Sequence, residues 1–235
     1  MTTPHDPAAS DPTGSSPTAS GAPDERLELA DWRLRVADLY AAVRAEAAQD
    51  PDRAWDRWRA TREQLYREHP ASPVPAVARG SFRARHWPYD PAWRFVADVR
   101  SGDPVEPAAP ALGLGILLPV SSGDQLSFTR LGEVVLPLPT GDRALTIYWM
   151  AGYAGGLFLP FRDATNGAAT YGAGRYLLDS AKSADLGRHG AGGPLILDFN
   201  FAYHPSCAFD PRWSCPLAPP ENRLDVAVEA GERLR

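Results

Sequence analysis

Lysine is nearly missing from this 235-residue chain: Lys182 stands alone, and every other basic side chain is arginine. Schiff-base chemistry or a phosphate-loop lysine would have that one residue to use. It sits in a Ser/Gly/Asp stretch with no Walker A pattern, so neither is expected. Cysteine is scarce as well, with Cys207 and Cys215 alone. Two thiols are too few for a disulfide-stapled secreted scaffold. Long apolar runs are absent. The most apolar stretch, residues 111–120, contains Gly and Pro and falls far short of the ~20 residues that span a bilayer. No basic segment followed by an apolar one opens the chain, so no secretory signal is read and a cytoplasmic setting with reduced thiols is expected. The formal net charge is -5. Without clustered Lys and Arg, nucleic acid and anionic membrane surfaces are both poor partners.

What remains is enough for a core: 44% of residues are hydrophobic and 23% charged, close to globular averages. Residues 1–24 are Pro, Ser, Thr, Ala, Gly and Asp with no large apolar side chain after Met1, which predicts a disordered tail. A two-helix arm is expected over 25–70. Leu29, Trp32, Val36, Leu39, Tyr40 and Val43 form one stripe at helical spacing. Asp50-Pro51 restarts a helix as N-cap and first-turn proline, with Trp55, Trp58, Leu65 and Tyr66 on its buried side. That stripe packs on the rest of the chain or on a second copy, which leaves a homo-oligomer open. A linker follows over 71–80, and His69-Pro70 ends the second helix.

From 81 to 235 the period becomes two. Expected strands lie at residues 93–99, 126–131, 133–138, 145–150, 157–161, 175–179, 195–200 and 224–230, with Thr140-Gly141-Asp142 as a hairpin turn. No helical pattern intervenes. The expected fold is therefore mainly β, an antiparallel sandwich or small barrel, with two N-terminal α-helices. Tyr89-Asp90-Pro91-Ala92-Trp93 and Phe209-Asp210-Pro211-Arg212-Trp213 repeat one turn signature.

Four segments together resemble a known family: Gly156-Leu157-Phe158-Leu159-Pro160-Phe161-Arg162-Asp163, Thr170-Tyr171-Gly172-Ala173-Gly174-Arg175-Tyr176-Leu177, Leu197-Asp198-Phe199-Asn200-Phe201-Ala202-Tyr203, and Cys215-Pro216-Leu217-Ala218-Pro219-Pro220-Glu221-Asn222-Arg223. With Trp87-Pro88-Tyr89-Asp90-Pro91, they are similar to the bacterial and archaeal domain of unknown function 1684, over roughly residues 28–235. The resemblance implies a shared fold. It implies no reaction.

Chemistry must come from the residues themselves. Asp198 to Arg223 is a long segment stiffened by five prolines between Pro205 and Pro220, a fair way to hold a preorganised site or to cover a sheet edge. The leading expectation is a small-molecule site at the mouth of the β domain, for an anionic ligand if the arginines are free. It would be lined by Arg162, Asp163, Tyr171, Arg175, Asn200, Tyr203, His204, Glu221 and Arg223, because guanidinium forks match carboxylate or phosphate. The same arginines could instead pair internally with Asp163, Asp179, Asp198 or Glu221. A hydrolase is one alternative, with Cys207 or a carboxylate among Asp163, Asp198 and Glu221 as the reactive group and His204 as base; a non-catalytic oligomeric interaction module, joined through the tryptophan-bearing helices, is the other. The His204-x2-Cys207-x7-Cys215 spacing fits no standard zinc or redox motif, so the thiols are read as packed, metal-bound, reactive or bonded to each other. Tyr171-Gly172-Ala173-Gly174 is too short for a phosphate loop, and no cofactor is expected.

Overall fold

A computed structural model describes residues 23–100, 116–123, 125–138, 140–150 and 155–234. Most of the expected tail lies outside the described residues. Helix α1 (Pro23–Ala47) starts within that tail's last two positions, and α2 (Pro51–Glu68) follows. Asp50 caps α2 as its sequence requires, accepting from the Arg53 backbone N–H at 3.0 Å. The linker contains a one-turn helix, α3 (Ala76–Arg79).

Nine strands come next among the described residues: β1 (Arg85–His86), β2 (Arg94–Ala97), β3 (Ile116–Pro119), β4 (Gln125–Leu138), β5 (Gly141–Met150), β6 (Gly156–Phe161), β7 (Arg175–Asp179), β8 (Leu195–Asp198) and β9 (Glu232–Arg233). β3 to β7 form a five-stranded antiparallel meander in chain order. β2 pairs with β8, and β1 with β9, both antiparallel. The fold is mainly β with N-terminal helices, as the period change implied.

The meander is buried on both faces. Leu145, Ile147, Leu159 and Phe161 meet Phe95 and Leu197 of the β2–β8 pair in one core. Tyr148, Phe158 and Tyr176 meet Val36, Leu39, Trp55 and Trp58 of the helices in another. The tryptophan-bearing stripe of the arm is thus covered by the chain's own sheet.

Two expected strands, 126–131 and 133–138, are one bent strand. Leu131 is left over where the β4–β5 register shifts between Arg130 and Gly132. A single extra residue inverts the period of two. Hence even-numbered Phe128 faces the helical core, whereas even-numbered Val134 and Leu136 face the other one. Gly132 makes the bend possible, since a Cβ there would lie 2.3 Å from the Arg100 carbonyl oxygen. The hairpin after β4 also closes earlier than expected, with Leu138 opposite Gly141.

The strand expected at 224–230 does not form a ladder. Its backbone groups go elsewhere: Leu224 N–H to the Arg162 carbonyl at 2.8 Å, the Val226 carbonyl to Ala164 N–H at 2.9 Å, and the Val228 and Ala230 carbonyls to the Arg175 guanidinium. The paired strand is β9, just beyond it. Buried backbone groups must find partners, and here an arginine supplies them.

The proline-rich segment behaves as a strap. The Tyr203 and Tyr176 backbones exchange bonds of 2.9 and 3.1 Å at the β7 edge, while Ser121 N–H reaches the Cys215 carbonyl and Leu217 N–H the Pro119 carbonyl, both at 3.0 Å, at the β3 edge. Both open edges of the meander are therefore occupied by one stretch of chain, residues 203–217.

Candidate functional site

The strap and α1 enclose a cavity of about 230 Å³. Its walls include Trp32, Tyr40 and Tyr66 from the arm, Tyr176 and Lys182 from the sheet side, and Tyr203, His204, Trp213 and Cys215 from the strap. At ~30 Å³ per water this space holds about seven waters or one compact organic molecule. A larger groove of about 550 Å³ lies between α1 and α2, but its polar walls already serve one another. Arg35 and His69 both reach Asp31, at 2.7 and 2.9 Å, and Gln64 donates to Glu68 at 2.9 Å.

One buried ion pair holds the smaller cavity's inner wall. Arg62 Nε donates to Glu232 Oε1 at 2.5 Å, and its guanidinium also bonds the Tyr66 hydroxyl. The same guanidinium lies over the Tyr203 ring at 4.5 Å and the Tyr66 ring at 4.6 Å. Trp58 Nε1 donates to the Tyr40 hydroxyl at 3.1 Å beside it. Glu232 Oε2 accepts the His204 backbone N–H at 2.8 Å, with His204 Nδ1 at 3.5 Å. Burial alone would push the Glu232 carboxyl up. Arg62 and His204 outweigh that and hold it below the usual carboxylate range.

Two cavity-lining side chains keep a polar atom unserved. His204 Nε2 and Trp213 Nε1 are buried and have no hydrogen-bond partner among the described residues. His204 is 2% exposed, and burial lowers its pKa, so the ring is neutral near pH 7. Trp213 reaches this position from the second copy of the repeated turn. Asp210 Oδ1 accepts from Arg212 N–H at 3.0 Å, as Asp90 Oδ1 accepts from Ala92 N–H at 2.9 Å.

A neighbouring histidine makes the core sensitive to acid. His86 sits edge-on to Trp58 at 5.4 Å, and burial drives its pKa down to about 4. An unfolded histidine titrates near 6.5, so the unfolded chain takes up the proton first. Stability contributed by neutral His86 is complete above pH ~6.5 and is lost as pH falls toward about 4. The expected loss is on the order of 3 kcal/mol at the bottom of that window. Urea unfolding of wild type and His86→Phe at pH 7 and pH 4.5 checks it: the variant's pH slope should flatten, and an unchanged slope would contradict the assignment.

Of the residues that the sequence suggested, Tyr203 and His204 line this cavity. Arg175 and Asp163 do not; they fill the interior together. Arg175 donates to Asp163 Oδ2 at 2.9 Å and to the carbonyls of Val228, Ala230 and Glu232 at 2.9, 2.5 and 3.1 Å. The guanidinium is sandwiched by Phe161 and Trp87. Asn200 acts as a sheet substitute, exchanging 3.0 and 2.8 Å bonds with the Asp90 backbone. Asp198 pairs with Arg94 at 3.1 Å. Glu221 is exposed and accepts from the Tyr148 hydroxyl at 2.7 Å. Arg162 and Arg223 are backbone neighbours in an isolated bridge, with Arg223 exposed. The three acids Asp163, Asp198 and Glu221 thus serve three different partners. His204 is bonded to Glu232, while Cys207 bonds Cys215 and Tyr171.

Sequence reading missed Arg62, Tyr176 and Lys182 as wall residues, and Glu232 as the partner that holds Arg62. Arg62 carried a signal: it stands four residues from both Trp58 and Tyr66, a charge inside an apolar stripe. Glu232 carried none, because its partner lies 170 positions away.

Comparison with known proteins agrees with this architecture. The chain is similar to an uncharacterised protein of Haloarcula marismortui, from gene locus rrnAC0354, whose structure was determined in solution by NMR. Identity is 30%, covering 80% of this chain and 96% of that one, with a TM-score of 0.55. No curated protein matches. No helix among the described residues is long and apolar enough to cross a membrane. The model of a family described as protein of unknown function (DUF1684) matches residues 82–233, from just before β1 to the end of β9. The chain belongs to the DUF1684 family.

Proposed function

We propose that this protein binds one compact, partly polar small molecule in the cavity between α1 and the strap. The observation that carries this reading is the pair of nitrogens left unserved among the described residues, His204 Nε2 and Trp213 Nε1, on two residues that line the cavity beside Trp32, Tyr40, Tyr66, Tyr176 and Tyr203. Each buried polar atom left unbonded costs about 1–3 kcal/mol. A bound molecule that bonds both recovers that cost. Trp213 can only donate. With the His204 proton on Nδ1, facing Glu232, Nε2 offers a lone pair. The fitting ligand therefore presents one donor and one acceptor, as a carboxylic acid, amide or hydroxyl does, and a ring or short chain for the tyrosines. Arg33, at the rim and without an ion-pair partner among the described residues, suits an anionic end. In this reading the helical arm serves as a cavity wall. The setting is the cytoplasm, where free thiols stay reduced.

Ligand-observed NMR of the full chain against compact aromatic acids and amides tests the proposal. Binders should raise the melting temperature of wild type. Trp213→Phe should weaken them about tenfold, the worth of one hydrogen bond. Ser206→Trp, which fills the cavity from its wall, should abolish binding. Compounds that bind equally well to all three proteins would refute the site.

A further inference from the structure

The strap brings its two cysteines together across eight residues. The Cys207 backbone N–H donates to Cys215 Sγ at 3.4 Å, which sets the two thiols beside each other. Both positions are fixed by structure around them. Cys207 lies in a 3₁₀ turn, Ser206–Ala208, and Cys215 is pinned to the β3 edge through Ser121. Both thiols are free, and no group of three metal-ligating side chains exists among the described residues. Two free thiols in contact, each held by a braced backbone, are arranged for a bond between them.

We propose that Cys207 and Cys215 form a peroxide-sensitive dithiol that is reversibly oxidised to a disulfide within the strap. Exposures of 8% for Cys207 and 4% for Cys215 favour an oxidant of water size over a bulky peptide disulfide. Cys207 is the attacking group. The Cys215 thiol donates to it, and against the opposing effect of burial the Ser121 and Tyr171 hydroxyls beside it also favour the thiolate, lowering its pKa to about 6. Cys215 is pushed the other way and keeps its proton, as expected of a coupled pair that loses protons in two steps.

The chemistry balances with hydrogen peroxide as the oxidant. The Cys207 thiolate attacks one peroxide oxygen, the O–O bond breaks, and the departing hydroxide takes up a proton to leave as water. Cys207 is then a sulfenic acid, oxidised by two electrons. Cys215 sulfur attacks Cys207 Sγ, the S–O bond breaks, and hydroxide leaves with the Cys215 proton as a second water. The disulfide remains, and a thiol reductant restores both groups by exchange.

Intact-mass measurement of the full chain with dilute hydrogen peroxide tests this. Wild type should become two hydrogens lighter, lose both free thiols, and recover them with a dithiol reductant. Cys207→Ser and Cys207→Ala should slow thiol loss about tenfold or more. Cys215→Ser should stop at a species one oxygen heavier that a sulfenic-acid probe captures. The wild-type rate should fall as pH drops below about 6. Native chain oxidising no faster than the same chain unfolded in urea would overturn the proposal. So would wild type that gains oxygen without ever losing two hydrogens.

Discussion

Asp163→Ala should lower the unfolding free energy by about 3–5 kcal/mol, enough to unfold a typical domain in part. The substitution removes a carboxylate that is itself fully engaged. Asp163 Oδ2 accepts from Arg175, while Oδ1 accepts the Thr165 N–H at 2.7 Å and the Val228 N–H at 3.4 Å. Side chains of both members of the pair are 0% exposed. Without Asp163 the guanidinium stays buried with three carbonyls but no counter-charge, and a charge without its partner is the costly state. The pair itself is worth much less than this loss, because both ions gave up their hydration to form it. Asp163→Leu combined with Arg175→Met removes the unpaired charge but leaves the Val228, Ala230 and Glu232 carbonyls without their donor, so the double variant should lose less than the sum of the two single losses. Urea midpoints of the single and double variants measure it. A single variant within 1 kcal/mol of wild type, on the ~1–3 kcal/mol scale of a lost buried hydrogen bond, would remove this pair from the account of what holds the C-terminal segment.

Glu232→Gln should cost about as much, ~3–5 kcal/mol, for the same reason at the second buried pair. Arg62 then has no ion-pair partner among the described residues, although glutamine can still accept its Nε–H. The loss should be largest near neutral pH. A carboxyl held below its unfolded value of about 4.3 stabilises the fold above that value, and the contribution fades as pH falls through the folded value. Wild type and Glu232→Gln should therefore converge in acid, and a gap that persists at low pH would argue against the charge as its cause. The two pairs will not be additive. The Glu232 carbonyl bonds Arg175 while its side chain bonds Arg62, so one residue belongs to both networks.

The fold was more legible in the sequence than the site, and the reason is range. Helix and strand periods are local, so the arm, its Asp50 cap and the strands at 145–150, 157–161 and 175–179 could be read within a window. The bulge at Leu131 could not, because period-two runs flanked Gly132 on both sides and nothing local says that they are one strand. The segment 224–230 looked like a strand and instead spends its carbonyls on Arg175, a tertiary choice. Among site residues, His204 and Tyr203 stood out because a proline-braced segment draws attention to its polar heads. Arg162, Arg175 and Glu221 stood out equally and lie elsewhere, since sequence shows charges but not which acid meets which base. Internal pairing, the alternative reading of the arginines, describes Arg175.

Glu232 also sets an order of events during synthesis. Arg175 and Arg62 cannot be satisfied until residues 228–232 have left the ribosome, because those residues hold the carbonyls and the carboxylate that receive them. Until then Arg175 has only Asp163 among its bonding partners, and Arg62 on α2 has only the Tyr66 hydroxyl. Closing the two networks therefore joins distant parts of the chain at once, since Arg62 and Glu232 stand 170 positions apart.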